Sequence, residues 1–143
     1  DGLRRGARAL RLDLRDCTAI DSTFSGTLLS LEREAERAGG TLTLVSPSAK
    51  VLDLLEKMGL EDFYAIDPAE RVEGTWTDVP LTRVPTERLS RMVLDAHEQL
   101  AHVPGPAGSA FRAVVEELRR EEQDSRANDR ASEGRRPRSS VVH

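Results

Sequence analysis

The sequence predicts an α/β fold: a sheet of mostly parallel strands with helices mainly on one face, plus a C-terminal helical hairpin. Two observations carry this prediction. Segments of period 2 and period 3.6 alternate as strand, helix, strand, helix, strand over residues 9–66, an order that favours parallel strands joined by right-handed crossovers. The strands also alternate apolar and polar residues, whereas strands covered on both faces read as continuous apolar runs, so one face of this sheet is wet.

The first strand rests on Leu10, Leu12 and Leu14 alternating with Arg11, Asp13 and Arg15. A turn at Asp16-Cys17-Thr18 and a buried Ile20 follow. Asp21-Ser22-Thr23-Phe24-Ser25-Gly26 is rich in residues that accept hydrogen bonds from a helix N-terminus. From about Gly26 to Ala38, Leu28, Leu31, Ala35 and Ala38 fall on one helical stripe, and Gly39-Gly40 ends it. Leu42 and Leu44 alternate with Thr41 and Thr43 as a second strand. Ser46-Pro47-Ser48 opens a second helix with the stripe Val51, Leu54, Leu55 and Met58, closed by Gly59, with Leu60 folding back after the cap. Phe63-Tyr64-Ala65-Ile66 reads as a short third strand.

Three strands make a thin sheet. Residues 1–8 read as a frayed helix end, so further strands are expected before Asp1. The expected organisation is a domain over 1–66, a Pro- and Gly-containing linker over 67–85, a helical hairpin over 86–124 and a disordered tail over 125–143. In the hairpin, Thr86 is the expected N-cap. Leu89, Met92, Val93, Ala96, Leu100 and Val103 form one apolar face, Pro104-Gly105-Pro106 is the break, and Phe111, Val114, Val115 and Leu118 form the second face. That apolar surface must be covered, either by the first domain or in a homodimer or partner contact through the C-terminal helices.

Composition narrows the function. Of 143 residues 38% are hydrophobic and only 3% aromatic, enough for one small Leu/Val/Ala core. The formal charge of −4 argues against a nucleic-acid footprint. A single cysteine, Cys17, fits a reducing, cytoplasmic compartment. No apolar stretch approaches the about 20 residues of a membrane span, so no membrane insertion is expected. His97 and His102 stand five apart, about 140° round a helix, whereas the zinc-protease motif needs a spacing of four. Both are therefore read as solvated helix surface, and no metal or cofactor is expected. A phosphate-binding glycine loop is absent. Ser22 as a hydrolase nucleophile would need a base, which no histidine supplies by its place in the sequence, so no enzyme activity is expected.

Taken alone, Asp21-Ser22-Thr23 is an ordinary cap. A phosphate there would be tolerated by the free N–H groups of the helix start, and would add about −1.5 to −2 charge to an exposed surface. The ordered set of Leu10-Arg11-Leu12-Asp13-Leu14, Ile20-Asp21-Ser22-Thr23, the Ala-containing helix to Gly39-Gly40, Thr41-Leu42-Thr43-Leu44-Val45, Ser46-Pro47-Ser48 and the run Val51–Leu60 resembles the STAS domain over about residues 3–66. That is the fold of anti-sigma factor antagonists and of the cytosolic tails of sulfate transporters.

The resemblance implies several expectations. The family's turn reads Asp-Ser-Ser-Gly, and its second serine is the phosphorylation site of the sigma-regulating members. Ser22 matches the first serine and Thr23 the second, so the phosphoacceptor expected is Thr23, with Ser22 as the alternative. Phe24 replaces the family's glycine, as a partner anchor or a block to the usual kinase. Asp21, Phe24 and Ser25 are the expected partner-binding residues. The partner implied is an anti-sigma factor or serine/threonine-protein kinase. The alternative is an unphosphorylated subunit docking on a transporter or stress-signalling complex.

Overall fold

The computed structural model describes residues 6, 8–68, 74–75, 77–78, 80 and 82–133. Its elements are β1 (Ala9–Asp13), α1 (Ser22–Arg37), β2 (Thr41–Val45), α2 (Ala49–Lys57), β3 (Ala65–Asp67), α3 (Thr86–Ala101) and α4 (Pro106–Glu133). The sheet has the order β1-β2-β3 and both pairings are parallel, with Leu10 opposite Leu42, Leu12 opposite Leu44 and Leu44 opposite Ile66. Two right-handed crossovers that step the same way across a sheet leave α1 and α2 on one face. The other face is polar, and there Arg11 of β1 reaches Asp67 of β3 at 2.5 Å.

The elements form for local reasons. The β1 and β2 leucines line one side because strand side chains alternate. α2 starts where the Ser48 hydroxyl accepts from the N–H of Val51. It ends at Gly59, whose φ of 67° suits a residue without Cβ, and Leu60 N–H bonds back to the Leu55 carbonyl at 2.9 Å. Leu60 is thereby swung fully into the core.

Four expected boundaries move. α1 begins at Ser22 rather than near Gly26, because the Asp21 carboxylate caps it one residue earlier. The third strand is Ala65–Asp67, paired with Thr43–Val45, because the Phe63 N–H is held in a turn by the Leu60 carbonyl at 3.1 Å. α3 contains Thr86, and Pro85 holds the cap position without a side-chain bond. α4 runs through to Glu133, past residue 125 where the composition suggested no structure. Ion pairs at helical spacing support that stretch, such as Arg126 to Glu122 at 2.6 Å. The remainder of the expected tail lies outside the described residues.

The hairpin does not stand apart. Leu100 and Val103 are fully buried in the same cluster as Leu14, Leu28, Leu42, Leu44, Val51 and Leu55. α3 lies along α1 so closely that a Cβ on Gly26 would come within 2.1 Å of the Ala96 carbonyl oxygen. Arg33 of α1 also hydrogen-bonds Gln99 of α3. Of the two covers open to the hairpin's apolar face, the first domain takes its inner part. Leu89, Met92 and Val114 stay exposed.

Candidate functional site

The site is built on the entry into α1. Asp21 sits in extended backbone (φ −107°, ψ 177°), and its Oδ1 accepts from the N–H of Phe24 at 2.7 Å. Its carbonyl accepts from the N–H of Ser25 at 3.0 Å and from the Ser25 hydroxyl at 2.8 Å. The first turn is therefore pinned by one residue. With Asp21 as cap, the N–H groups of Ser22 and Thr23 have no partner within the helix.

The four residues after Asp21 have different surroundings. Thr23 is half-buried, and its carbonyl accepts from the Thr27 hydroxyl at 2.8 Å. Phe24 is 38% exposed, a large apolar ring at the surface. Ser25 is buried, and its hydroxyl is spent on Asp21. The partner-facing role expected for Ser25 is corrected accordingly: it braces the turn from inside. Ser22 is half-buried, and its Oγ lies 2.9 Å from Nε2 of His97 on α3.

His97 overturns a second expectation. It is not solvated helix surface but 7% exposed. Its Nδ1 lies 2.7 Å from the Val93 carbonyl, and its ring meets Phe111 of α4 edge-on at 6.1 Å. A carbonyl only accepts, so Nδ1 carries the proton and Nε2 is left as acceptor for the Ser22 hydroxyl. The signal was present in the sequence: His97 follows Val93 by four and precedes Leu100 by three, on the edge of the apolar stripe. What periodicity could not supply is that α3 would bring that edge onto residue 22. His102 is exposed, as expected, with Nδ1 2.6 Å from the Glu98 carbonyl.

The remaining candidates take no part. Cys17 is half-buried, with Sγ 3.2 Å from the Ala19 carbonyl. Among the described residues no group of His, Cys, Asp and Glu could hold a metal ion. Nor is any described helix long and apolar enough to cross a membrane.

A strand, a capped turn bearing two hydroxyls, a helix, a second parallel strand and a second Ser-capped helix thus stand in the order that the sequence laid out. The family model described as "Mlab, STAS domain" matches residues 1–67. The match supports a STAS domain over these residues. No curated protein and no solved structure is significantly similar to the chain. STAS domains are in general regulatory or binding domains rather than enzymes. In this domain the α1 entry places an exposed aromatic ring, a neighbouring hydroxyl and a helix N-terminus in one turn.

Proposed function

We propose that this STAS protein is a regulator of the anti-sigma factor antagonist type, which docks a partner protein at the first turn of α1 and is controlled by phosphorylation of Thr23. The partner is an anti-sigma factor or a serine/threonine-protein kinase, and the protein acts in the cytoplasm. The observation that carries this reading is the division of labour between the two hydroxyls. Ser22 is tied to His97, whereas Thr23 stands beside the exposed Phe24. A phosphate on Thr23 would add about −1.5 to −2 charge next to the ring a partner grips, and so repel that partner.

Phe24 and Asp21 supply the docking features. Large rigid rings anchor protein interfaces because they bury much area at small entropic cost. The exposed Leu89, Met92 and Val114 leave the outer hairpin available for a second copy of the chain.

A second reading is favoured by one observation. The Asp21 carboxylate already occupies the N–H of Phe24 and brings its own negative charge to the helix start. An incoming phosphate would be less welcome there than at an uncapped helix. On this reading the turn is a permanent docking surface for a transporter or stress-signalling complex, and Phe24 is its anchor. Pull-down with the wild-type chain and with Thr23→Asp separates the two. The first reading expects the captured partner to be lost in Thr23→Asp. The second expects it to be retained there and lost in Phe24→Ala.

A further inference from the structure

The Ser22–His97 pair has the geometry of an activated hydroxyl. A serine oxygen attacks poorly while it holds its proton, and a neutral imidazole at hydrogen-bond distance takes that proton as attack proceeds. Nε2 stands 2.9 Å from Oγ, with its lone pair facing the hydroxyl because Nδ1–H is committed to the Val93 carbonyl at 2.7 Å. The orienting third group is a main-chain carbonyl, and Phe111 of α4 packs against the ring at 6.1 Å. Three helices thus fix one imidazole. The imidazole is buried while Ser22 is half-buried at the start of α1.

The helix start adds a second element. Asp21 satisfies the N–H groups of Phe24 and Ser25 and leaves those of Ser22 and Thr23 without intrahelical partners. Main-chain N–H groups at a helix N-terminus stabilise negative charge that develops in front of them.

We propose that Ser22 is a nucleophilic modification site for small electrophiles reactive at an acyl or phosphoryl centre, with His97 as its base. In the step, a bond forms from Oγ to the electrophilic carbon or phosphorus, and the bond to the leaving group breaks. The hydroxyl proton passes to Nε2 and from there to the departing group, with no change of oxidation state. The modification is stoichiometric and does not depend on phosphorylation of Thr23.

The test is to treat the folded full-length chain with a small alkyl fluorophosphonate, in which fluoride leaves and a phosphonyl ester remains, and to map adducts by mass spectrometry. The expected result is one adduct, on Ser22 and not on Ser25, Ser30 or Ser48. It is lost in urea and slowed about a hundredfold or more in His97→Gln, the usual scale of a missing general base. Absence of any adduct on the native chain, or adducts scattered over several serines, overturns the proposal. So does a folded His97→Gln, checked by circular dichroism, that labels at the wild-type rate. Should that variant not fold, the wild-type chain decides alone, because labelling of Ser22 that survives in urea also overturns it.

Discussion

The hydroxyl of Ser22 and the imidazole of His97, 75 residues apart in sequence, meet at 2.9 Å and tie the start of α1 to the C-terminal half of α3. In Ser22→Ala the buried Nε2 loses its donor. An unsatisfied buried polar atom costs about 1–3 kcal/mol. Urea denaturation is expected to show a lower midpoint at unchanged slope, the shift multiplied by the slope giving that loss, so that it reads as stability and not as a change in the unfolded state.

Gly26→Ala reverses a familiar sign. Alanine in a helix interior ordinarily gains about 1 kcal/mol over glycine. Here the new Cβ would fall 2.1 Å from the Ala96 carbonyl oxygen, a contact that only separation of α1 from α3 can relieve. Overpacking of this kind costs about 1–3 kcal/mol. A thermal melt is expected to place Gly26→Ala below wild type, and a rise in midpoint would contradict the observed helix contact.

Because Leu100 and Val103 belong to the core, the hairpin contributes to the stability of the STAS domain. Leu100→Ala is expected to cost about 2–5 kcal/mol by leaving a cavity. A chain ending at Asp67 would expose the α1 face that α3 now covers. It is expected to lose cooperative thermal unfolding and to self-associate in light scattering.

Tyr64 provides a pH dependence. Its hydroxyl is buried with no hydrogen-bond partner among the described residues. Burial, and secondarily the negative charge of Glu32, push its pKa up. The unfolded chain releases this proton above about pH 10, the ordinary tyrosine value, while the folded chain holds it. The contribution is therefore complete below pH 10 and is lost as pH rises through the alkaline range. Tyr64→Phe is expected to be as stable as wild type or more stable at neutral pH, since no hydrogen bond is lost, and to show a shallower fall in midpoint above pH 10.

The fold was largely legible because its signals are local. Leu10, Leu12 and Leu14 alternate, Gly59 closes α2 and Leu60 folds back as the cap requires. The site was legible only by half. The cap residues announced themselves by type, and placing Asp21, Ser22 and Thr23 at a helix start needed no tertiary information. Ser25 looked like its neighbours, yet one residue along the helix rotates its side chain from surface to interior. His97 escaped because its meaning depends on a helix packed across a long linker, a contact that no sequence period encodes. The same holds for Gly26, whose need for a bare Cα comes entirely from Ala96.

The proposed regulation depends on Thr23 as the phosphorylated hydroxyl of the α1 entry. The most direct measurement is phosphopeptide mapping of the full chain purified from its native host, wild type beside Thr23→Ala and Ser22→Ala. Phosphate is expected on Thr23 in the wild type and in Ser22→Ala, and none on this turn in Thr23→Ala. Phosphate that persists in Thr23→Ala and vanishes in Ser22→Ala, or a turn that never carries phosphate, would contradict it.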